Sequence, residues 1–293
     1  MPTAFVLSGG ASLGATQAGM LQALYERDVR PDMLIGVSAG ALNAAFAACR
    51  PVTVASAVEL QGIWAGLTRS QVFPPSPLTA GLGMLGMRNH SVPAAGLRRI
   101  VERNLDVDRL EDAGVALHVV AADVLTGEEV LLSKGPIADA LLASAAIPGV
   151  FPPVAVDGRL LMDGGVVNNA PISHAVELGA DRIFVLPAIG QARLEEAPRG
   201  ALAAGMTAVS RAIARRLQDD VARYRHEVEL TVFEAPARIA PTDFGKAGEL
   251  IEHGLHAARR ELRRGHAPRH LRRAAQRRRR GGATSARRRP RSP

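Results

Sequence analysis

The stretch Leu34-Ile35-Gly36-Val37-Ser38-Ala39-Gly40-Ala41-Leu42-Asn43-Ala44-Ala45 decides how this chain folds. An apolar run ends in Gly-x-Ser-x-Gly and passes at once into alanine-rich sequence, so a strand gives way to a helix on a sharp turn. Ser38 occupies that turn, where its hydroxyl should be exposed as a nucleophile. Gly36 and Gly40 remove side-chain bulk where the turn is strained and strand and helix come close. The helix that follows aims unpaired N–H groups and a partial positive charge at the serine, an arrangement suited to an oxyanion.

Upstream, Thr3 to Ser8 is a short apolar run closed by Gly9-Gly10, and Gly14 to Asp28 carries Ala15, Ala18, Leu21, Leu24 and Tyr25 at helical spacing. Two strand–turn–helix units within 50 residues predict an α/β fold whose central, mainly parallel sheet is sandwiched between helices. Downstream the pattern weakens from Gly62 to Pro93. That region holds the proline-rich Val72–Leu78 and the glycine-spaced apolar Gly81–Met87, which reads either as a packed connection or as an adaptable apolar lip beside a site. Regularity returns with a helix near Pro93–Asn104 and a strand over Val115–Ala121 that turns at Thr126-Gly127 into Glu129–Ser133. A helix over Ile137–Ala146 follows, then a hairpin around Asp157-Gly158 that ends in Leu160-Leu161-Met162-Asp163. Helices over Pro171–Leu178, Ala201–Arg225 and Asp243–Arg264 and strands over Arg182–Pro187 and Val228–Phe233 complete the pattern, with Asp243 as an N-cap.

The composition, 47% hydrophobic but only 3% aromatic, calls for a core of Ala, Val, Leu and Ile. The single cysteine, Cys49, excludes an intramolecular disulfide and suits a reducing compartment. The N-terminus lacks a signal-peptide pattern and no run is long and apolar enough to span a bilayer, so the expected location is cytoplasmic, peripheral to membranes at most. The net charge of +8 is unevenly divided. From Arg259 onward lie 15 of the 36 basic residues and one of the 28 acids, which leaves +14 there and −6 in the remainder. The expected organisation is one domain over residues 3–264 and an Arg-rich, disordered tail over 265–293. Without interleaved aromatics or a base-reading fold, that tail gives no reason to expect specific nucleic-acid binding; transient contact with an anionic membrane surface is the functional reading.

A serine nucleophile needs a base, and no histidine has persuasive company: His118 lies in an apolar strand, His174, His253 and His256 on helices, and His90 in a loop. Asp163 has a better claim. It ends an apolar run just before Gly164-Gly165, and the carboxyl ends of strands are where the sites of parallel sheets gather. An aspartate that caps its own turn is the competing reading. The turn Gly9-Gly10-Ala11-Ser12-Leu13-Gly14 supplies backbone N–H groups at a helix start, an anion cradle. The spacing is not Gly-x-Gly-x-x-Gly and no Walker lysine follows, so an oxyanion hole fits better than a nucleotide site.

These blocks together resemble the patatin-like phospholipase family. The matching runs are Ser8–Ala15 with Gly19-Met20-Leu21, Gly36–Asn43, Ala143–Val154 and Asp163–Pro171, supported by Asp123 with Thr126-Gly127-Glu128 and by Asp243-Phe244 before Leu250-Ile251-Glu252. The resemblance implies a Ser–Asp dyad of Ser38 and Asp163, an oxyanion hole at Gly9, Gly10 and Ala11, motif glycines at Gly14, Gly36, Gly40, Gly164 and Gly165, and no metal or organic cofactor. It implies a lipid acyl hydrolase that cleaves carboxylic esters of phospholipids or neutral lipids through an acyl-enzyme. The alternatives are an acyltransferase or thioesterase at the same site, or a catalytically weak lipid-binding protein. The family usually writes Gly-Gly-Gly-x-Arg/Lys-Gly in the oxyanion turn, whereas this chain has Ala11 and Leu13 at the third glycine and the basic position.

Overall fold

The computed structural model describes residues 1–74, 90–190, 201–236 and 240–265. Glycine-spaced Gly81–Met87 and the tail beyond 265 lie outside the described residues. Strands β1 (Thr3–Leu7), β2 (Met33–Val37), β3 (Ala116–Asp123), β4 (Glu129–Leu132), β5 (Val154–Val156), β6 (Arg159–Asp163), β7 (Arg182–Leu186) and β8 (Glu229–Val232) form one sheet. The hydrogen-bonded path is β5-β6-β3-β2-β1-β7-β8, with β4 on β3. The pairs among β3, β2, β1, β7 and β8 are parallel, and β4, β5 and β6 pair antiparallel.

Alternation along β1 divides the core between the two faces of the sheet. Phe5 and Leu7 join one buried cluster with α1 (Ala15–Tyr25), α2 (Ala39–Ala48), α3 (Val54–Gly66) and a C-terminal helix over Ala247–Gly265. Ala4 and Val6 join the other, beneath the helices over Ile172–Glu177 and Ala201–Tyr224. With α4 (Arg69–Val72), α5 (Ala95–Asn104) and α6 (Ile137–Ser144), the chain-order labels of these last three helices are α7 for Ile172–Glu177, α8 for Ala201–Tyr224 and α9 for Ala247–Gly265. Both faces of the sheet are therefore covered, as its uninterrupted apolar strands require.

Helix α4 lies where the sequence pattern weakens, and α3 runs into the start of that region. Helix α3 buries Ala57, Leu60 and Trp64 on one side and begins at Thr53, whose side chain accepts from Ser56 N. Helices α1 and α9 come together at glycines: a Cβ on Gly19 would sit 2.0 Å from Ile251 O, and one on Gly254 2.0 Å from Thr16 O. Thr16 Oγ1 donates across this crossing to Leu250 O at 2.9 Å.

The register along β3 places the site. β2 pairs with Ala116–Val120, β6 with Ala121–Asp123, and β4 with Val119–Ala122, straddling the boundary between the other two. A strand has two edges, so β6 takes up the edge that β2 leaves. Val37 pairs with Val120 and Asp163 with Ala121, which brings the end of β6 to the turn at Ser38. Asp163 thus reaches the carboxyl ends of the parallel strands on an antiparallel one, not as the end of a parallel strand.

Candidate active site

Ser38 sits between β2 and α2 with φ 53° and ψ −124°, a conformation that costs an L-residue energy and has to be held by its surroundings. Its N–H donates to Ser144 Oγ at 2.8 Å, and Ser144 Oγ donates to Val120 O at 2.6 Å. Its carbonyl accepts from Ala41 and Leu42, the first turn of α2. Gly40 is obligatory because a Cβ there would meet Leu7 O at 2.2 Å and Ser8 O at 2.5 Å. Gly14, Gly36, Gly164 and Gly165 also lie at close approaches; a Cβ on Gly164, for example, would lie 2.4 Å from Val120 O. The expected exposure of Ser38 is corrected by the structure: the residue is only 6% exposed and faces an apolar cleft.

Asp163 ends β6 and is equally buried, at 6% exposure. Its Oδ1 accepts Gly165 N–H at 2.7 Å, so the turn-capping reading holds alongside any catalytic one. Burial raises its carboxyl from an ordinary 3.8 to about 6, against the opposing pull of the Gly165 N–H and the Ser38 hydroxyl. A carboxylate so placed has the proton affinity of a base that works near neutral pH.

The turn at Gly9–Ala11 passes beside Ser38. A Cβ on Gly9 would lie 3.1 Å from Ser38 Cβ and 3.4 Å from Val37 O, so only glycine lets the backbone come this near. No acceptor among the described residues takes the N–H of Gly10 or Ala11, whereas the N–H of Ser38 is already spent on Ser144. Ala11 adopts φ 49°, in the left-handed region where an alanine costs about 1–2 kcal/mol. That explains a glycine at this position in the family pattern, and shows that alanine keeps the same N–H at the expense of strain. Leu13 is 4% exposed and packs in the main core cluster, so the position that carries a base in that pattern points into apolar protein here.

Several side chains that motif reading left without a role hold this turn. Gln17, fully buried on α1, donates to Ser8 O and to Leu186 O, both at 2.8 Å. Asn43 donates to Gln17 Oε1 and to Gly14 O, and itself accepts from Trp64 Nε1. Ala188 N–H donates to Ser8 Oγ at 2.9 Å, Ser12 N–H to Pro241 O at 3.0 Å, and Asn169 Nδ2 to Gly9 O at 3.2 Å. The available signal was a polar side chain at a core-facing position, as with Gln17 or with Ser144 within Leu141–Ala146.

Ser38 and Ala11 open onto a cleft walled by Leu42 and Phe46 of α2, Trp64 of α3, Leu97 and Val101 of α5, and Phe73, Phe151 and Phe244. Phe73 stacks on Phe151 at 5.4 Å and meets Phe244 edge-on at 6.1 Å. No described histidine lines it. His118 Nδ1 pairs with Ser133 Oγ, and His174 bridges Glu129 and Glu177; Glu129 holds His174 above the usual imidazole range. Among the described residues no cluster of His, Cys, Asp and Glu is placed to hold a metal ion, and no helix is long and apolar enough to cross a membrane.

A family model described as patatin-like phospholipase matches residues 5–176, more than half of the chain. The chain belongs to the patatin-like phospholipase family. Its relatives include an uncharacterized NTE family protein of Mycobacterium tuberculosis, 31% identical over 186 residues that cover 61% of this chain and 46% of that protein. A patatin-like phospholipase domain-containing protein of Caenorhabditis elegans is 30% identical over 178 residues, 60% of this chain and 13% of that one. The chain therefore spans about half the length of the mycobacterial relative and far less of the nematode one. Among solved structures, VipD from Legionella pneumophila aligns over 89% of this chain and 66% of its own at a TM-score of 0.49 and 15% identity. Human GIVD cytosolic phospholipase A2, solved with methyl gamma-linolenyl fluorophosphonate, aligns over 89% and 58% at 0.42 and 11%.

Proposed function

We propose that the protein is a lipid acyl hydrolase that uses Ser38 as nucleophile and Asp163 as its only base. Asp163 takes the Ser38 proton as Oγ adds to an ester carbonyl, giving a tetrahedral oxyanion that receives the N–H groups of the Gly9–Ala11 turn. Collapse breaks the bond to the alkoxide leaving group, to which Asp163 returns the proton, and leaves an acyl group on Ser38. Water then repeats the sequence, with Asp163 as base, and frees the fatty acid. The observation that carries this reading is the buried Asp163 carboxyl against the Ser38 hydroxyl, raised to about 6. Family membership supports a lipid ester as substrate, and the apolar cleft at Ser38 supports an acyl chain as the part recognised.

The catalytic unit in this reading is residues 3–264, and the arginines beyond it draw the enzyme to anionic membrane, each basic residue near such a surface contributing around 1 kcal/mol. Hydrolysis of a medium-chain nitrophenyl ester tests the proposal: Ser38→Ala and Asp163→Asn should each abolish turnover in a folded protein. A fluorophosphonate should label the wild type and not Ser38→Ala. The rate should rise with pH through about 6 as Asp163 loses its proton. Full activity in either variant removes the dyad. Faster transfer to an alcohol or lysolipid than to water would make the enzyme an acyltransferase.

A further inference from the structure

Asn169 follows Asp163 by six residues and is 8% exposed. Its carboxamide touches both halves of the candidate site. Nδ2 donates to Gly9 O at 3.2 Å, where the only other described side-chain donor is Ser8 Oγ at 3.3 Å. Oδ1 fills the space where side chains on Gly9 and Gly165 would begin, 2.6 and 2.8 Å from those Cβ positions. The Gly165 position is also 3.0 Å from Asp163 Oδ1, so the Asn169 and Asp163 oxygens lie within ~6 Å of each other.

The peptide plane makes the first contact consequential. In a trans peptide the carbonyl of Gly9 and the N–H of Gly10 point in opposite directions, and the described residues include no cis peptide bond. Fixing Gly9 O toward Asn169 fixes Gly10 N–H away from it. Glycine pairs rotate freely between conformations, and the Gly10 N–H has no described acceptor that would hold it in the resting state. Without Asn169, the described side chains would leave this peptide only the longer Ser8 Oγ bond at 3.3 Å.

We infer that Asn169 is a positioning residue, whose carboxamide locks the Gly9–Gly10 peptide so that Gly10 N–H is aimed at the oxyanion and ties that turn to the loop carrying Asp163. The inference rests on the Ser–Asp reading given above. Only a neutral side chain serves. An aspartate of the same shape, once ionised, has no proton for Gly9 O, and it would set a second negative charge close enough to Asp163 to strengthen its hold on a proton.

Asn169→Ala and Asn169→Asp test this alongside wild type and Ser38→Ala, with nitrophenyl butyrate from pH 5 to 9 and active sites counted by fluorophosphonate labelling taken to completion. Per labelled site, Asn169→Ala should lose about 10- to 100-fold in kcat with KM changed less than about twofold, because the anchored donor acts on the oxyanion and not on the bound ester. Asn169→Asp should also lose kcat, and the acid limb of its pH profile should move to higher pH. A change that merely loosened the fold would lower the number of labelled sites without giving that split or that displacement. If Asn169→Ala keeps kcat within twofold of wild type, or Asn169→Asp shows an unmoved acid limb, the inference is overturned. Retained activity in Ser38→Ala would instead overturn the dyad on which it rests.

Discussion

Replacing Asp163 with asparagine should stabilise the protein while abolishing its activity, and the gain should depend on pH. Burial raises the Asp163 carboxyl to about 6, from an ordinary value of 3.8 that the unfolded chain retains. The native state therefore holds this proton where the unfolded state has released it, and stability falls as pH climbs through that interval. The raised group contributes its full stability below about 4 and has lost it once pH exceeds about 6. Two units of difference correspond to about 3 kcal/mol that the ionised form costs the native state above pH 7, with about half of that cost present at pH 5. Asparagine is neutral throughout and can still accept from Gly165 N–H. Urea unfolding of both proteins at pH 5 and pH 8 measures the difference directly, because every other titrating group cancels. The variant should gain about 3 kcal/mol at pH 8, equivalent to some 6–12 °C in Tm for a domain of this size, and clearly less at pH 5. A variant no more stable than wild type at pH 8, or a gain that does not vary with pH, refutes the reasoning that burial opposes this charge.

Ala11→Gly should relieve the left-handed strain at φ 49° while adding freedom to the unfolded chain. The net effect is a stabilisation of about 0.5–1 kcal/mol in urea unfolding, with ester hydrolysis retained. Leu42→Trp puts bulk into the cleft one helical turn from Ser38. It should reduce hydrolysis of long-chain esters by roughly tenfold or more relative to an acetate ester in a chain-length series. Equal losses across the series would show that the acyl chain does not use this wall.

What could be read beforehand was local. The turn at Ser38 and Gly40 and the Gly9–Gly14 turn each follow from residue types within about a dozen positions, because a tight turn, a close backbone approach and a helix start are all short-range demands. The strands β1, β2 and β7 follow from apolar runs bounded by glycine and proline. What escaped depends on partners far along the chain. The antiparallel course of β6 and its seat at the end of β2 are set by pairing with β3, which no pattern within Arg159–Asp163 encodes. Ser144, Gln17 and Asn169 acquire their roles from atoms 106, 169 and 160 positions distant. Helix α3 gives a weak sequence signal because its buried side holds the small Ser56 and Ala57 beside Leu60 and Trp64, while the apolar Val54 and Val58 stand exposed.

Several supports of the Gly9–Ala11 turn come late in the chain, beyond the early braces from Gln17 and Asn43. Leu186 and Ala188 brace Ser8, Pro241 receives Ser12 N–H, and α9 docks on α1 through Gly254. The strand that flanks β1 opposite β2 is β7, beyond the residues the family model matches. On the ribosome, Ser38 emerges early, and the turn beside it gains its contacts with Leu186, Ala188 and Pro241 only once those residues have been made. A chain cut short before those residues would thus carry Ser38 beside a turn that is only partly braced.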